Sequence, residues 1–261
     1  MVLISMRIAL KFAYNGIPFY GYARQPGLQT VEGELIKVLK KNKFIDSIKK
    51  AMVKSASRTD KGVSAFGNVI AFDTKKNAEN IIQECNDLLD HIVLYGMNIV
   101  DDQFYPRHAK KRIYHYYLTK DEVTLQTIES LIPLFIGSHD FSNFARVEPQ
   151  KNQMRTIEKI TVKETDSYVV LEFQAQTYLW QQIRRIVSSI QKCEKKKISK
   201  DEIGMALKYP MKQVDFGLAD PYRLILNDII YDFYFDIDTN GLKKKKALEQ
   251  EIIKKLRHPC F

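Results

Sequence analysis

The order of elements read along this chain, β-α-β-β-α-β followed by the same order again, predicts an α+β protein. The split βαββαβ unit is a recognised supersecondary motif. Two copies imply two pseudo-twofold-related, ferredoxin-like halves with a joined antiparallel sheet and a central cleft. Three observations predict this. Apolar periodicity alternates between about 2 and about 3.6 residues in the same sequence in both halves. The chain has 261 residues, 45% of them apolar, long enough to bury a real core. No linker rich in Pro, Gly or Ser divides the halves, so a tightly docked pair is expected. The division expected is an N-terminal α/β half over 1–105 that holds the polar loop described below, a C-terminal α/β half over 106–242, and a basic tail over 243–261, expected to be helical.

Each element has its own signal. Residues 7–14 (RIALKFAY) read as a strand that the turn pair Asn15-Gly16 ends. Thr30 opens a helical pattern. Glu32 and Glu34 suit its first turn, and Val31, Leu35, Val38 and Leu39 form its apolar stripe. Short strands are expected at 52–56 and 68–72. Ile81, Ile82, Cys85, Leu88 and Leu89 then fall at helical spacing, and a strand at 94–100 closes the half. The second half begins with a strand at 112–119 (RIYHYYLT) and a helix at 125–135. Two alternating strands follow, 157–163 and 169–175, turning at Asp166-Ser167. A long helix over 179–192, a shorter one over 201–207 and a last strand over 224–235 complete the order.

Charge narrows the partners. Lys and Arg number 41 against 31 Asp and Glu, a net +10. Such an excess concerns partners rather than fold and favours a polyanion, either nucleic acid or an anionic membrane surface. The tail contributes seven Lys/Arg against two Glu, half of that excess. Leu248, Ile252, Ile253 and Leu256 sit at helical spacing there, so it reads either as a solvated amphipathic helix packed by one face or as a phosphate-contacting arm. Cys85, Cys193 and Cys260 are far apart, and no CxxC, HExxH, GxGxxG or P-loop is present. Neither a metal site nor a disulfide framework is implied. No apolar run approaches the roughly 20 residues that span a bilayer, and the start lacks a signal-peptide pattern. A reducing cytoplasmic setting is the simplest expectation.

The densest polar cluster is SASRTDKGVSAFGN, residues 55–68, between two expected strands. Asp60 lies between Arg58 and Lys61, and neighbouring cations favour an ionised carboxylate. An ionised carboxylate serves as nucleophile or base. The plain alternative is an Asp-centred turn with Gly62 supplying a positive φ.

SRTDKGVSAFGNVIAF resembles the signature of the TruA family of tRNA pseudouridine synthases, commonly GRTD-x-GVHA. Ser64 and the following GN resemble its archaeal branch. Other segments agree in order. FAYNGIPFYGYARQPGLQTVEGEL resembles the family's N-terminal strand, turn and helix, KRIYHYYL its R-x-Y-x-Y strand, and HDFSNFAR its HDF-x-x-F element. YLWQQIRRIV resembles its FL-x-x-M-V-R-x-I-V helix, and ADPYRLILNDIIYD its C-terminal strand. The resemblance spans 7–232.

The resemblance implies roles. Asp60 falls on the family's catalytic aspartate and Tyr114 on the tyrosine that stacks against the target base. Arg184 falls on the arginine that pairs with the catalytic carboxylate, and Arg58 on the loop arginine that displaces the base. Leu224 and Leu226 fall on apolar residues near the active site. Chemistry supports each role. A base within a stem-loop has to be extracted before it can react. Aromatic stacking holds such a base with about 1–3 kcal/mol. A bidentate arginine suits a carboxylate in a water-poor cleft. Without the resemblance, Tyr114 reads as a sheet-face tyrosine and Arg184 as a surface ion pair. Arg24, in GYARQP, is a further candidate RNA contact, as are Lys110, Lys111 and Arg112, and Arg146 is a candidate for lining the cleft.

Departures from the family pattern are Ser57 for glycine, Ser64 for histidine, Gln182 for methionine, Arg185 for asparagine, Ser188 for glycine and Arg223 for glycine. The expected activity is isomerisation of uridine to pseudouridine in the tRNA anticodon stem-loop, positions 38 to 40. It requires no redox cofactor and no metal, and the family usually forms homodimers. Two mechanisms fit Asp60: attack on ribose C1′ or uracil C6 to form an adduct, or removal of a sugar proton during elimination to a glycal. The alternative function is a catalytically silent structured-RNA-binding protein on the same scaffold.

Overall fold

A computed structural model describes residues 5–147 and 152–256 of the chain. Residues 257–261 of the basic tail, with Cys260, lie outside the described residues. The chain divides into two compact units, Met1–Lys110 with Ile225–Phe261, and Lys111–Leu224.

The first unit begins with β1 (Met6–Tyr14), buried on both faces except at Met6 and Lys11. A strand covered on both sides reads as a near-continuous apolar run, as RIALKFAY does. Helix α1 (Val31–Lys41) starts where Thr30 caps it, its hydroxyl accepting from the Gly33 N–H at 3.3 Å. Val31, Leu35, Ile36, Val38 and Leu39 are its buried stripe. The strand expected at 52–56 shrinks to β2 (Lys54–Ser55), because Met52 takes a left-handed φ of 45° that ends the extended run. In contrast β3 (Ser64–Thr74) starts four residues earlier than expected, inside the polar cluster. Helix α2 (Ile81–Asn86) stops short of Leu88, which is exposed. The Asn86 amide instead pairs with the backbone of Leu94 in β4 (Ile92–Val100), donating to its carbonyl and accepting from its N–H, both at 2.8 Å.

The second unit opens with β5 (Lys111–Thr119). Helix α3 (Leu125–Leu131) ends before Pro133 and passes into a 3₁₀ turn, Ile132–Leu134, rather than running on to 135. A hairpin not expected from the pattern follows, with β6 (Gly137–Asp140) and β7 (Met154–Ile157) paired antiparallel. The strand expected over 157–163 therefore divides: Ile157 belongs to this hairpin, and β8 (Lys159–Glu164) pairs with β9 (Tyr168–Ala175). Within this unit the order is β5-β9-β8, all antiparallel. Helix α4 (Gln182–Glu194) begins three residues later than its periodicity suggests, because Gln181 sits at φ 64°. Helix α5 (Lys200–Lys208) carries a capping box between Ser199 and Glu202.

The chain then returns to the first unit. The strand expected over 224–235 is two strands, β10 (Leu224–Ile230) and β11 (Asp236–Ile237). Between them Tyr231 and Phe233 stack at 5.3 Å, and both meet the Phe104 ring edge-on. Strand β10 runs parallel to β3, with Ile225 opposite Ser64 and Leu226 opposite Ala65. The sheet of this unit, β11-β4-β1-β3-β10 with β2 also on β3, is thus mixed rather than wholly antiparallel. β10 arrives after an intervening unit and not by a hairpin, so nothing forces it to reverse direction.

Helix α6 (Thr239–Lys255) carries the described part of the tail and packs on β4 through Leu248 and Ile252. It approaches so closely that a Cβ on Gly241 would lie 2.5 Å from the Leu94 carbonyl oxygen. Up to residue 256 the tail is thus a helix with one face packed and most of its lysines exposed. Among the described residues no helix is long and apolar enough to cross a membrane.

Candidate active site

In the first unit the segment carrying Asp60 is a loop between β2 and β3, held at almost every residue. The Asn68 side-chain amide donates to the Ser57 carbonyl at 3.0 Å, and both residues are buried. The Thr59 carbonyl accepts from the Tyr22 N–H at 3.1 Å. The Thr59 and Tyr14 hydroxyls share a hydrogen bond of 2.8 Å. The Val63 N–H closes a turn onto the Asp60 carbonyl at 3.2 Å, and Gly62 supplies its positive φ of 85°. The Ser64 hydroxyl accepts from the Gly16 N–H at 2.9 Å. Asp60 is half-buried, whereas Arg58 and Lys61 on either side are exposed. Lys61 lays its ammonium 4.3 Å over the Tyr20 ring. The carboxylate thus projects from a backbone that its neighbours fix, with cations beside it.

A second loop, residues 15–29, braces the first. A Cβ on Gly16 would sit 2.2 Å from the Val63 carbonyl oxygen, so only glycine permits the approach. Gly21, at φ 92°, brings its backbone against Thr59 and Lys61. Beneath lie the fully buried rings of Phe12, Tyr14 and Tyr22, with centroids 5.9 to 6.4 Å apart. Burial pushes the Tyr22 phenol well above the ordinary tyrosine range, so it is neutral at physiological pH.

Arg24, on this second loop, is exposed and 3.5 Å from Glu32, whose other oxygen accepts from the Ser55 hydroxyl at 3.1 Å. Leu226 is fully buried in β10 beside Ala65, next to the residue that ends the Asp60 loop. So Asp60, Arg58, Arg24 and Leu226 all belong to the first unit.

Tyr114, Arg184 and Leu224 belong to the second. Tyr114 lies on β5 opposite Phe173 of β9, is 8% exposed, and meets the Tyr178 ring edge-on at 5.3 Å. Arg184, in the first turn of α4, is also 8% exposed. Its Nε donates to the Ala219 carbonyl at 2.8 Å, and the Ala219 N–H returns a bond to the Arg184 carbonyl at 3.2 Å. Nearby, Ser188 donates to the Phe216 carbonyl at 2.7 Å and Arg185 pairs with Asp215 at 2.7 Å. The unusual Ser188 and Arg185 thus both tie α4 to residues 215–219. Gln182 accepts from the Leu179 N–H at 2.8 Å and so ties the first residue of the helix to the chain before it. Leu224 is buried, and Arg223 before it pairs with Glu122.

Three further candidate cations have partners within the chain. Arg112 is buried and donates to the Gln176 carbonyl, Lys111 pairs with Glu158 at 3.1 Å, and Lys110 pairs with Asp232. The positioning residues that sequence reasoning missed are Tyr14, Tyr22 and Asn68. The partners of Tyr14 and Tyr22 in the loop are 45 and 37 residues distant, which no local pattern announces.

Residues 131–232 match a family profile described as tRNA pseudouridine synthase. Among relatives named tRNA pseudouridine synthase A, that of Thermococcus sibiricus is 42% identical over 245 residues, covering 92% of this chain and 91% of the relative. That of Thermococcus kodakarensis is 39% identical, with the same shares covered. That of Pyrococcus furiosus is 36% identical over 97% of this chain and 93% of its own length. With likeness of this degree over nearly the whole length, and with the loop of Asp60 built around the family's signature residues, the chain belongs to the TruA family of tRNA pseudouridine synthases.

Proposed function

We propose that this protein isomerises uridine to pseudouridine in the anticodon stem-loop of tRNA, at positions 38 to 40, with Asp60 as the nucleophile or base. The observation that carries the reading is the Asp60 loop: a half-exposed carboxylate between two cations, on a backbone held by Tyr14, Tyr22 and Asn68. A group fixed in this way loses little freedom when a substrate arrives, which is how positioning lowers a barrier.

The reaction breaks the bond between C1′ and N1, turns the base, and forms a bond between C1′ and C5. The hydrogen on C5 leaves as a proton and N1 gains one, so no electrons are exchanged. Asp60 supplies the charge that the step at C1′, C6 or the sugar proton requires. In this reading Tyr114 stacks on the flipped uracil and Arg184 pairs with the catalytic carboxylate. Arg58 fills the space that the base vacates, Leu224 and Leu226 form apolar walls, and Arg24 contacts the RNA backbone. The burial of Tyr114 and Arg184 supports their roles, since stacking and ion pairing are strongest away from water. The net charge of +10 supports a polyanionic substrate, and the family resemblance supports a homodimeric active form.

The test uses tRNA transcript tritiated at uracil C5. The protein releases tritium to solvent, and Asp60→Ala binds the same tRNA with no release. Binding without release by the unaltered protein would leave the silent RNA-binding reading instead. Substantial release by Asp60→Ala would remove Asp60 from the chemistry.

A further inference from the structure

Trp180 is the one tryptophan of the chain and is 42% exposed. It sits in the second unit immediately before Gln181, the left-handed residue that turns the chain into α4. The Arg146 guanidinium lies 4.2 Å over its ring. The pairing is also made through the backbone, where the Arg146 N–H donates to the Trp180 carbonyl at 2.8 Å.

Both residues stand on anchored chain. Before Arg146, the Asn143 amide donates to the Ala206 carbonyl and accepts from the Val214 N–H, each at 2.9 Å. The Phe144 ring stacks on Phe216 at 4.7 Å and 16°. After Trp180, helix α4 is fixed by the Arg184 and Ser188 bonds to residues 216–219. A guanidinium held over an indole is therefore presented to solvent from an anchored base, in a protein of net charge +10. Isolated exposed apolar residues are ordinary. A flat π surface joined to a flat cation is more specific. Unpaired bases stack on aromatic rings and on arginine planes, and the same arginine meets the adjoining phosphate.

We propose that Trp180 and Arg146 form a stacking contact for an unpaired nucleotide of the RNA substrate, separate from the roles given above to Tyr114 and Arg58. This rests on the reading of the protein as an enzyme of tRNA. The contact binds substrate and takes no part in bond making. Its loss is therefore felt in KM more than in kcat.

The sole tryptophan makes the test direct. Titrating the full-length protein with tRNA transcript should change the intrinsic emission, saturating over the concentrations that saturate tritium release. Trp180→Ala should raise KM about tenfold or more, within the range of one lost base stack. Trp180→Phe should restore most of the loss, since a ring remains. Arg146→Ala should weaken binding and lower the salt slope by about one. Emission unchanged at saturating tRNA, together with a KM for Trp180→Ala equal to that of the parent, would overturn the proposal. If Trp180→Ala does not fold, judged by circular dichroism, the emission of the parent and the KM of Arg146→Ala decide it. Absence of tritium release by the parent is a failure of the function proposed above. Normal release by the parent with a normal KM in both Trp180→Ala and Arg146→Ala is a failure of this contact alone.

Discussion

The loop of Asp60 and the helix turn of Arg184 are both rigid, by opposite means. Asp60 is half-exposed, and it is the backbone around it that is pinned: the Thr59 carbonyl by Tyr22, the Thr59 hydroxyl by Tyr14, the Ser57 carbonyl by Asn68. Arg184 is buried, and its side chain is pinned directly by the Ala219 carbonyl. Holding the residues on either side fixes the point from which the Asp60 side chain starts. A buried guanidinium is held through its own donors, because any donor left without a partner away from water is costly. Placement from the loop and from the helix alike thus uses partners remote in sequence, which hold the neighbours of Asp60 in the first case and the side chain of Arg184 in the second.

Ways to break this contrast can be ranked. Gly16→Ala strikes the bracing of the Asp60 loop hardest, since its Cβ would lie 2.2 Å from the Val63 carbonyl oxygen. We expect a loss of about 2–3 kcal/mol in urea unfolding together with most of the activity. A loss under about 0.5 kcal/mol would show that the two loops part easily. Arg184→Lys removes the Nε donor but keeps the charge. A loss of about 1.5–3 kcal/mol is expected, because an ammonium does not reproduce the Nε–H that meets the Ala219 carbonyl. Equal stability of the two proteins would mean that the Ala219 bond is not what fixes this side chain. Tyr14→Phe is the mildest change. It keeps the buried ring and removes one hydroxyl bonded to Thr59, so stability should fall by about 1 kcal/mol. Its sharper effect should be on kcat, with tRNA binding unchanged, because the hydroxyl holds the side chain of Thr59 next to Asp60. A kcat equal to that of the parent would show that the remaining loop bonds suffice.

Much of this was legible in the sequence. The cap at Thr30, the stripe of α1 and the buried run of β1 follow from local periodicity, because each element buries one face or both by its own pattern. The cluster around Asp60 was legible as a polar loop, and as chemistry only through its resemblance to a family signature. The hairpin of β6 and β7 escaped because GSHD and MRTI carry little alternation, and their pairing depends on each other across thirteen residues. The helix over 81–89 was overread because Leu88 and Leu89 keep helical spacing after the Asn86 amide has turned to the Leu94 backbone. The lysine and arginine row at 110–112 was legible as charge, whereas the partner that each of the three meets within its own unit was not.

The sequence by itself, through side-chain order that resembles a family signature, determined the candidates for the chemistry: Asp60 between cations, a tyrosine on a strand, an arginine entering a helix. Only the tertiary structure decided what holds them. Tyr14 reaches Thr59 across 45 residues, and Arg184 reaches Ala219 across 35. Likewise, nothing local distinguishes Trp180, held under Arg146 at the surface, from a tryptophan bound for the core. A hydrogen bond or a stacked cation between distant residues leaves no periodic trace in the chain, since its geometry exists only once both segments are folded.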